Sequence, residues 1–108
     1  MDAHRVIDSD TLARRLAGAS PPIVVAVMSA SEHRRARIPG SRLFGDAAAF
    51  GREVPRDRAI VVSCRSLGDL TAHWACRLLL EDGYRDVSVH LGGLRAWEVA
   101  GLPVDRDD

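Results

Sequence analysis

Among the side chains able to do covalent chemistry near neutral pH, Cys64 occupies the most informative place in the chain. The run before it, Ala59-Ile60-Val61-Val62-Ser63, is apolar and rich in β-branched types, the pattern of a strand buried on both faces. After it come Arg65-Ser66-Leu67-Gly68-Asp69, several of which tolerate tight turns. From about Thr71 onward, Ala72, Ala75, Cys76 and Leu79 recur at the i, i+3, i+4, i+7 spacing of a helix packed on a core. A cysteine is therefore expected where a buried strand gives way to a helix. Backbone N–H groups of such a loop can form a concave nest for an anion, and the dipole at a helix N-terminus lowers the pKa of a nearby thiol. The chemistry implied is nucleophilic attack by a Cys64 thiolate, with Arg65, Ser66, Leu67, Gly68 and Asp69 as the candidate substrate-binding loop.

The second cysteine reads differently. Cys76 falls on the inner stripe of the expected helix, where a thiol is a small, inert hydrophobe. Its spacing from Cys64 matches neither CxxC nor a zinc-ligand pattern, so neither a metal nor another cofactor is expected. A disulfide between them is disfavoured because one cysteine precedes the loop and the other lies more than a turn into the helix, which exceeds the ~7 Å Cα limit. His73 and Trp74 could flank the mouth of the loop, Trp97 reads as core, and His4, His33 and His90 are scattered without the spacing of a catalytic dyad.

The elements that must position Cys64 follow from patterning. Val6-Ile7 precedes Asp8, which can N-cap a short helix turning Leu12 and Leu16 inward and ending at Gly18. Ile23-Val24-Val25-Ala26-Val27-Met28 is a second continuous apolar run of strand length. Ser29 to Arg37 reads as a polar loop whose Arg34, Arg35 and Arg37 form a solvated face, closing on the Ile38-Pro39-Gly40 turn before Leu43-Phe44. Asp46 to Phe50 reads as a short helix stopped by Gly51. Asp82-Gly83 ends the helix after the loop, Val87 to Leu91 alternates as a strand, Gly92-Gly93 turns, and Leu94 to Ala100 is helical, with Gly101 and Pro103 ending it. Asp105 to Asp108 is a charged tail with nothing to bury. Strands alternating with helices predict an α/β fold, a mostly parallel sheet covered on both faces, with ligands at the C-terminal strand ends where Cys64 lies.

Composition narrows the field further. A chain of 108 residues has the size of one domain, residues 1–108 with a core over about 6–104. Fifteen acidic residues balance fifteen basic ones, all of them Arg, so nothing favours a nucleic-acid partner. No run approaches the roughly 18 apolar residues of a membrane span, and no apolar leader core follows Met1-Asp2-Ala3-His4-Arg5, so no membrane partner and a cytoplasmic location are expected.

From about Val6 to Val104 the chain resembles a rhodanese domain. The resemblance rests on Ile38-Pro39-Gly40, the strand ending at Cys64, Gly83-Tyr84, Leu91-Gly92-Gly93-Leu94-Arg95-Ala96-Trp97, and Ala100-Gly101-Leu102-Pro103-Val104. It implies a three-layer rhodanese-like fold and a sulfurtransferase in which Cys64 takes a sulfane sulfur, becomes a persulfide and passes that sulfur on. The partners implied are a small sulfur donor, thiosulfate or a persulfide, and a thiol or protein acceptor.

Three departures from the family pattern qualify that expectation. Ala26-Val27-Met28 stands where the family usually has Asp-Val-Arg. Asp69 holds the fifth position after the cysteine, which is often basic in members that use thiosulfate. The stretch from Cys64 to Gly83 is a residue or two longer than usual. Arg65 and Asp69 are similar in offset to loops of rhodanese domains fused to sulfur-carrier-activating enzymes, which implies a protein-bound donor. Two alternatives stand beside this reading. A non-catalytic rhodanese-like interaction module would account for Ala26, Met28 and Asp69. A cysteine-loop phosphatase or arsenate reductase would need Arg six positions after the cysteine, where the residue is Leu70.

Overall fold

The computed structural model describes residues 5–45, 47–66 and 70–107. In chain order its elements are β1 (Arg5–Ile7), α1 (Ser9–Leu16), β2 (Ile23–Ala26), α2 (Ala30–Arg35), β3 (Arg42–Leu43), α3 (Ala47–Glu53), β4 (Ile60–Ser63), α4 (Thr71–Glu81), β5 (Val87–His90) and α5 (Gly93–Val99). All five strands pair in parallel, in the order β1-β5-β4-β2-β3. Parallel strands need crossover connections, and helices lying over both faces bury them completely. Accordingly every residue of the two strands at the sheet's centre, β4 and β5, is buried.

Period-two alternation sorts these side chains between two apolar layers. Val25, Ile60, Val62, Val87 and Val89 pack with Phe50 of α3 and with Ala72, Ala75, Cys76 and Leu79 of α4. Val24 and Val61 face the other way, onto Leu12 of α1 and Trp97 of α5. The inner stripe expected of α4 is the one observed. The α1 cap is also as expected, with the Asp8 carboxylate accepting the Thr11 N–H at 2.8 Å.

Four features differ from the sequence-based expectation. The polar stretch from Ser29 to Arg37 contains a helix, α2. Its start is held by a capping box, in which the Ser29 hydroxyl accepts the Glu32 N–H (3.1 Å) and Glu32 accepts the Ser29 N–H (2.9 Å). Because α2 buries none of its residues, no apolar periodicity announces it. Leu43, read only as part of a short apolar pair after a turn, belongs to a two-residue edge strand, β3. Helix α3 runs through Gly51 instead of stopping there, and the glycine is kept by packing, since a Cβ at residue 51 would run into the Arg56–Asp82 ion pair.

The C-terminal tail is the fourth. Arg37 and Asp105 exchange backbone hydrogen bonds of 3.0 and 2.9 Å, the Asp107 N–H reaches Arg34 O, and the Arg37 guanidinium pairs with Asp107 at 2.7 Å. What reads as a loose end is a strap laid antiparallel along the end of α2. The arginine cluster is divided accordingly, Arg37 being partly buried under the strap while Arg34 and Arg35 stay exposed.

Candidate active site

β4 delivers Cys64 to the C-terminal edge of the sheet one residue past the strand, at the position expected of a ligand-binding residue in such folds. The side chain is 4% exposed and belongs to the same apolar layer as Ala72 and Ala75 of α4. Its thiol donates to the Ser66 carbonyl at 3.4 Å, so the loop folds back over the sulfur within two residues. Arg65 and Ser66 are exposed. Cys64 thus sits beneath the surface, with the solvent-facing residues of its loop immediately after it. Leu67, Gly68 and Asp69, also expected in the substrate-binding loop, lie outside the described residues.

The root of this loop is gripped by α5. Leu94 N–H donates to Cys64 O (2.8 Å) and Arg95 N–H to Arg65 O (2.9 Å). These donors belong to the first turn of α5, where N–H groups have no partner within the helix. A peptide unit is planar and trans, so a carbonyl pointing at α5 turns the N–H of the same unit away from it. The Arg65 and Ser66 amides are consequently aimed away from α5.

This grip demands glycine at residue 93. Its φ is +58°, and a Cβ there would stand 2.2 Å from Cys64 O. Gly92 and Gly93 read from sequence as a turn, but the closer duty of Gly93 is to let α5 approach the backbone of Cys64, while a Cβ at Gly92 would meet Ala96 of the same helix. The doubled glycine ahead of a helix was the available signal; what it touches was not readable.

The Arg65 guanidinium reaches across to α2 and pairs with Glu32 at 3.2 Å. Glu32 is held well below the usual carboxylate range, first by the Ser29 backbone and side-chain hydrogen bonds and then by Arg65. It therefore stays ionised and fastens the loop to the capping box. Ala26 is buried at the end of β2, while Met28 is half-buried against the cleft containing Arg65 and Glu32. His73 and Trp74 are on the outer face of α4, where Trp74 and Leu70 are 57% and 76% exposed.

His90 is the residue the sequence reading missed. It is wholly buried, its Nδ1 lying 3.0 Å from the Ser63 hydroxyl and its Nε2 lying 2.8 Å from the Ser9 hydroxyl. Burial pushes its pKa down to about 4, with Asp8 opposing the shift only in part, so the ring is neutral near pH 7. Ser63 faces the layer of Trp97 and Leu12, opposite to Cys64, so this chain braces the residue before Cys64 without touching its sulfur. Ser63 and His90, polar residues within otherwise apolar runs, were the signal, because buried polar groups need partners.

Cys76 behaves as expected of an inner-stripe cysteine. It is fully buried, its thiol lies 3.9 Å from Ser88 O, and burial pushes its pKa up to about 12. Both cysteines are free thiols, and the described residues contain no cluster of His, Cys, Asp or Glu suited to a metal.

A parallel sheet covered on both faces, with a cysteine-headed loop at the C-terminal edge of its central strand, defines a class of α/β domains built around one thiol. Comparison with known proteins narrows the class. The family model for the rhodanese-like domain matches residues 8–100. A sulfurtransferase of Allochromatium vinosum is 33% identical over 100 residues, covering 91% of this chain and 92% of the relative. Among solved structures, the Alr3790 protein from Anabaena sp. superposes with a TM-score of 0.85 at 26% identity, over 94% of this chain and 92% of that one. SseA from Escherichia coli, of the 3-mercaptopyruvate sulfotransferases, shares the fold with a TM-score of 0.81 at 21% identity, over 96% of this chain and 52% of that one. The chain belongs to the rhodanese-like sulfurtransferase family. Among the described residues no helix is long and apolar enough to cross a membrane.

Proposed function

We propose that the protein moves a sulfane sulfur through a persulfide on Cys64 to a thiophilic acceptor. The observation that carries this reading is the pinned loop root, with the Cys64 and Arg65 carbonyls engaged by α5 and the following amides turned away from it. In the first step the Cys64 thiolate attacks the outer sulfur of the donor. A Cys64 S–S bond forms as the donor's own bond to that sulfur breaks, and the donor remainder leaves with the electron pair. In the second step an acceptor thiolate attacks the outer sulfur and releases the Cys64 thiolate, so atoms and electrons balance without an external oxidant or reductant. Stabilising the anionic forms on both sides of the transfer falls to the loop amides turned away from α5.

A protein-bound donor fits better than free thiosulfate. Two large apolar side chains, Leu70 just before α4 and Trp74 on its first turn, stand exposed beyond the loop, a surface suited to a macromolecular partner. Asp69, five residues after Cys64, adds a negative charge to a loop that would have to accept a dianion.

Intact-mass measurement after incubation with a sulfane-sulfur donor tests the reading: one addition of about 32 Da should map to Cys64 and none to Cys76. A non-catalytic interaction module, favoured by Ala26 and Met28 where the family usually has an acid and a base, would show no adduct.

A further inference from the structure

Strands β4 and β5 part beneath the Cys64 loop. Their backbone pairing joins Ile60 with Val87, Val61 with Ser88 and Val62 with Val89, and the next residue of each strand is its last, Ser63 and His90. From there β4 leads through Cys64 to α4, which packs on one face of the sheet, whereas β5 leads through Gly92 to α5, which packs on the other. Connections that leave neighbouring strands toward opposite faces open a crevice at the C-terminal edge of a parallel sheet, where ligands bind in such folds. On their outer sides both strands stay paired to the end, Ser63 with Ala26 of β2 and His90 with Ile7 of β1.

Side chains close the base of this crevice. His90 Nδ1, 3.0 Å from the Ser63 hydroxyl, joins the two strand ends one residue past their last shared rung, and Nε2, 2.8 Å from the Ser9 hydroxyl, ties the ring to the start of α1. A neutral imidazole has one donor and one acceptor nitrogen, and a hydroxyl can be either, so both bonds are satisfied in either tautomer. The indole of Trp97 on α5 stands edge-on to the ring, with centroids 6.1 Å apart. Such a buried polar chain adds little net stability over apolar groups of the same shape. What it adds is direction, because a hydrogen bond is sensitive to angle and apolar contact is not.

We propose that His90 is a positioning residue for Cys64: by tying Ser63 to the end of β5 it sets the direction in which Cys64 and its loop leave the sheet toward the first turn of α5. Its kinetic consequence rests on the sulfurtransferase reading. Cys64 directly follows Ser63, so a tilt at Ser63 is carried into the Cys64 side chain and into the Cys64 and Arg65 carbonyls, which must meet the Leu94 and Arg95 N–H groups together at 2.8 and 2.9 Å. His90 lies four residues before Leu94. One side chain thus links the strand that supplies these acceptors to the strand that leads into their donors.

Side chains that replace one imidazole nitrogen at a time supply the test. The amide of Asn can stand in for Nδ1 and keep the bond to Ser63, whereas that of Gln can stand in for Nε2 and keep only the bond to Ser9. His90→Leu, which removes both, should lower kcat for sulfur transfer about tenfold with KM within about twofold. His90→Asn should recover to within about threefold of the parent, while His90→Gln stays as low as His90→Leu. Ser63→Ala should lose as much, and adding it to His90→Leu should cost less than about a further twofold, since both act through one bond. Cys76→Ala, destabilised without touching this chain, should keep kcat within about twofold. Equal kcat in the Asn and Gln variants, losses that multiply in the double variant, or urea midpoints that fall while kcat holds would overturn the proposal. Alkylation of Cys64 by iodoacetamide in the folded proteins needs no sulfur transfer and separates the two readings. The same ranking of variants there supports the positioning role even if the parent forms no persulfide. A parent that does form the persulfide, with variants that alkylate and turn over alike, overturns the positioning role alone.

Discussion

The two cysteines share one apolar layer, yet the chain treats their surroundings in opposite ways. Cys76 lies mid-helix on α4, where every backbone group around it is committed to the helix, and burial drives its thiol far from ionisation. Cys64 is almost as deeply buried, but the strand has ended, the next two residues are exposed, and its carbonyl is bonded to another helix. Exposure of the sulfur does not separate them. What does is the backbone around them: beside Cys76 it is committed within α4, whereas at the end of β4 the Cys64 and Arg65 carbonyls bond to α5 and the N–H groups of the same peptide units point away from it.

The sharpest way to break this comparison is to exchange the roles of the thiols. Cys64→Ser should lower sulfur transfer at least about a thousandfold, since the nucleophile itself is removed. Cys76→Ala should leave turnover within about twofold and cost roughly 1–2 kcal/mol of stability from the lost packing. Rates from a sulfur-transfer assay beside urea midpoints for both variants check the pair, and equal losses of activity would erase the distinction.

Gly93→Ala attacks the grip rather than the sulfur. The added Cβ would meet Cys64 O at 2.2 Å in a backbone conformation with positive φ, so α5 must back away and the loop root lose its two donors. Activity should fall at least about a hundredfold, while the Cys76 thiol stays unreactive toward alkylating reagents in the folded protein. Retention of parent activity would show that the α5 amides do not organise the loop.

His90 makes the comparison dependent on pH. Its pKa is lowered in the folded protein to about 4 from an unfolded value near 6.5. Between those values the unfolded chain binds a proton that the folded one does not, so its contribution to stability is present above the unfolded value and is lost as pH falls toward the folded one. The loss should reach roughly 2 kcal/mol by pH 5, read as a falling urea midpoint. The slope over that window should flatten in His90→Leu, and an unaltered slope would exclude His90 as its source.

The smallest effect concerns the donor. Replacing Asp69 by Arg exchanges a repulsion for an attraction on a dianion, and kcat/KM for thiosulfate should rise about tenfold, or roughly 1.4 kcal/mol, with the gain shrinking as salt is raised. An unchanged or lower value would mean that residue 69 does not act on the anion's charge.

Much of this architecture was legible in the residues themselves. The apolar runs at Ile23 to Ala26 and Ile60 to Ser63, the α4 stripe, the Asp8 cap and the position of Cys64 past a buried strand all follow from spacing within a few turns of chain, because burial on one face leaves a period. Helix α2 escaped because its stability comes from a capping box and contacts at its ends rather than from a buried stripe.

Which residues meet across the sheet was decided only by tertiary structure. The order β1-β5-β4-β2-β3 brings Ser9 and Ser63 to His90 from 81 and 27 positions away, and sets the first turn of α5 against the carbonyls of Cys64 and Arg65. Arg65 finds Glu32 across 33 positions, and Arg106 enters the cleft because the tail straps onto α2. Local periodicity records which face of an element is apolar, but carries no record of which polar atom of a distant segment will lie opposite. That pairing emerges when the strands take their order, and with it the support beneath Cys64.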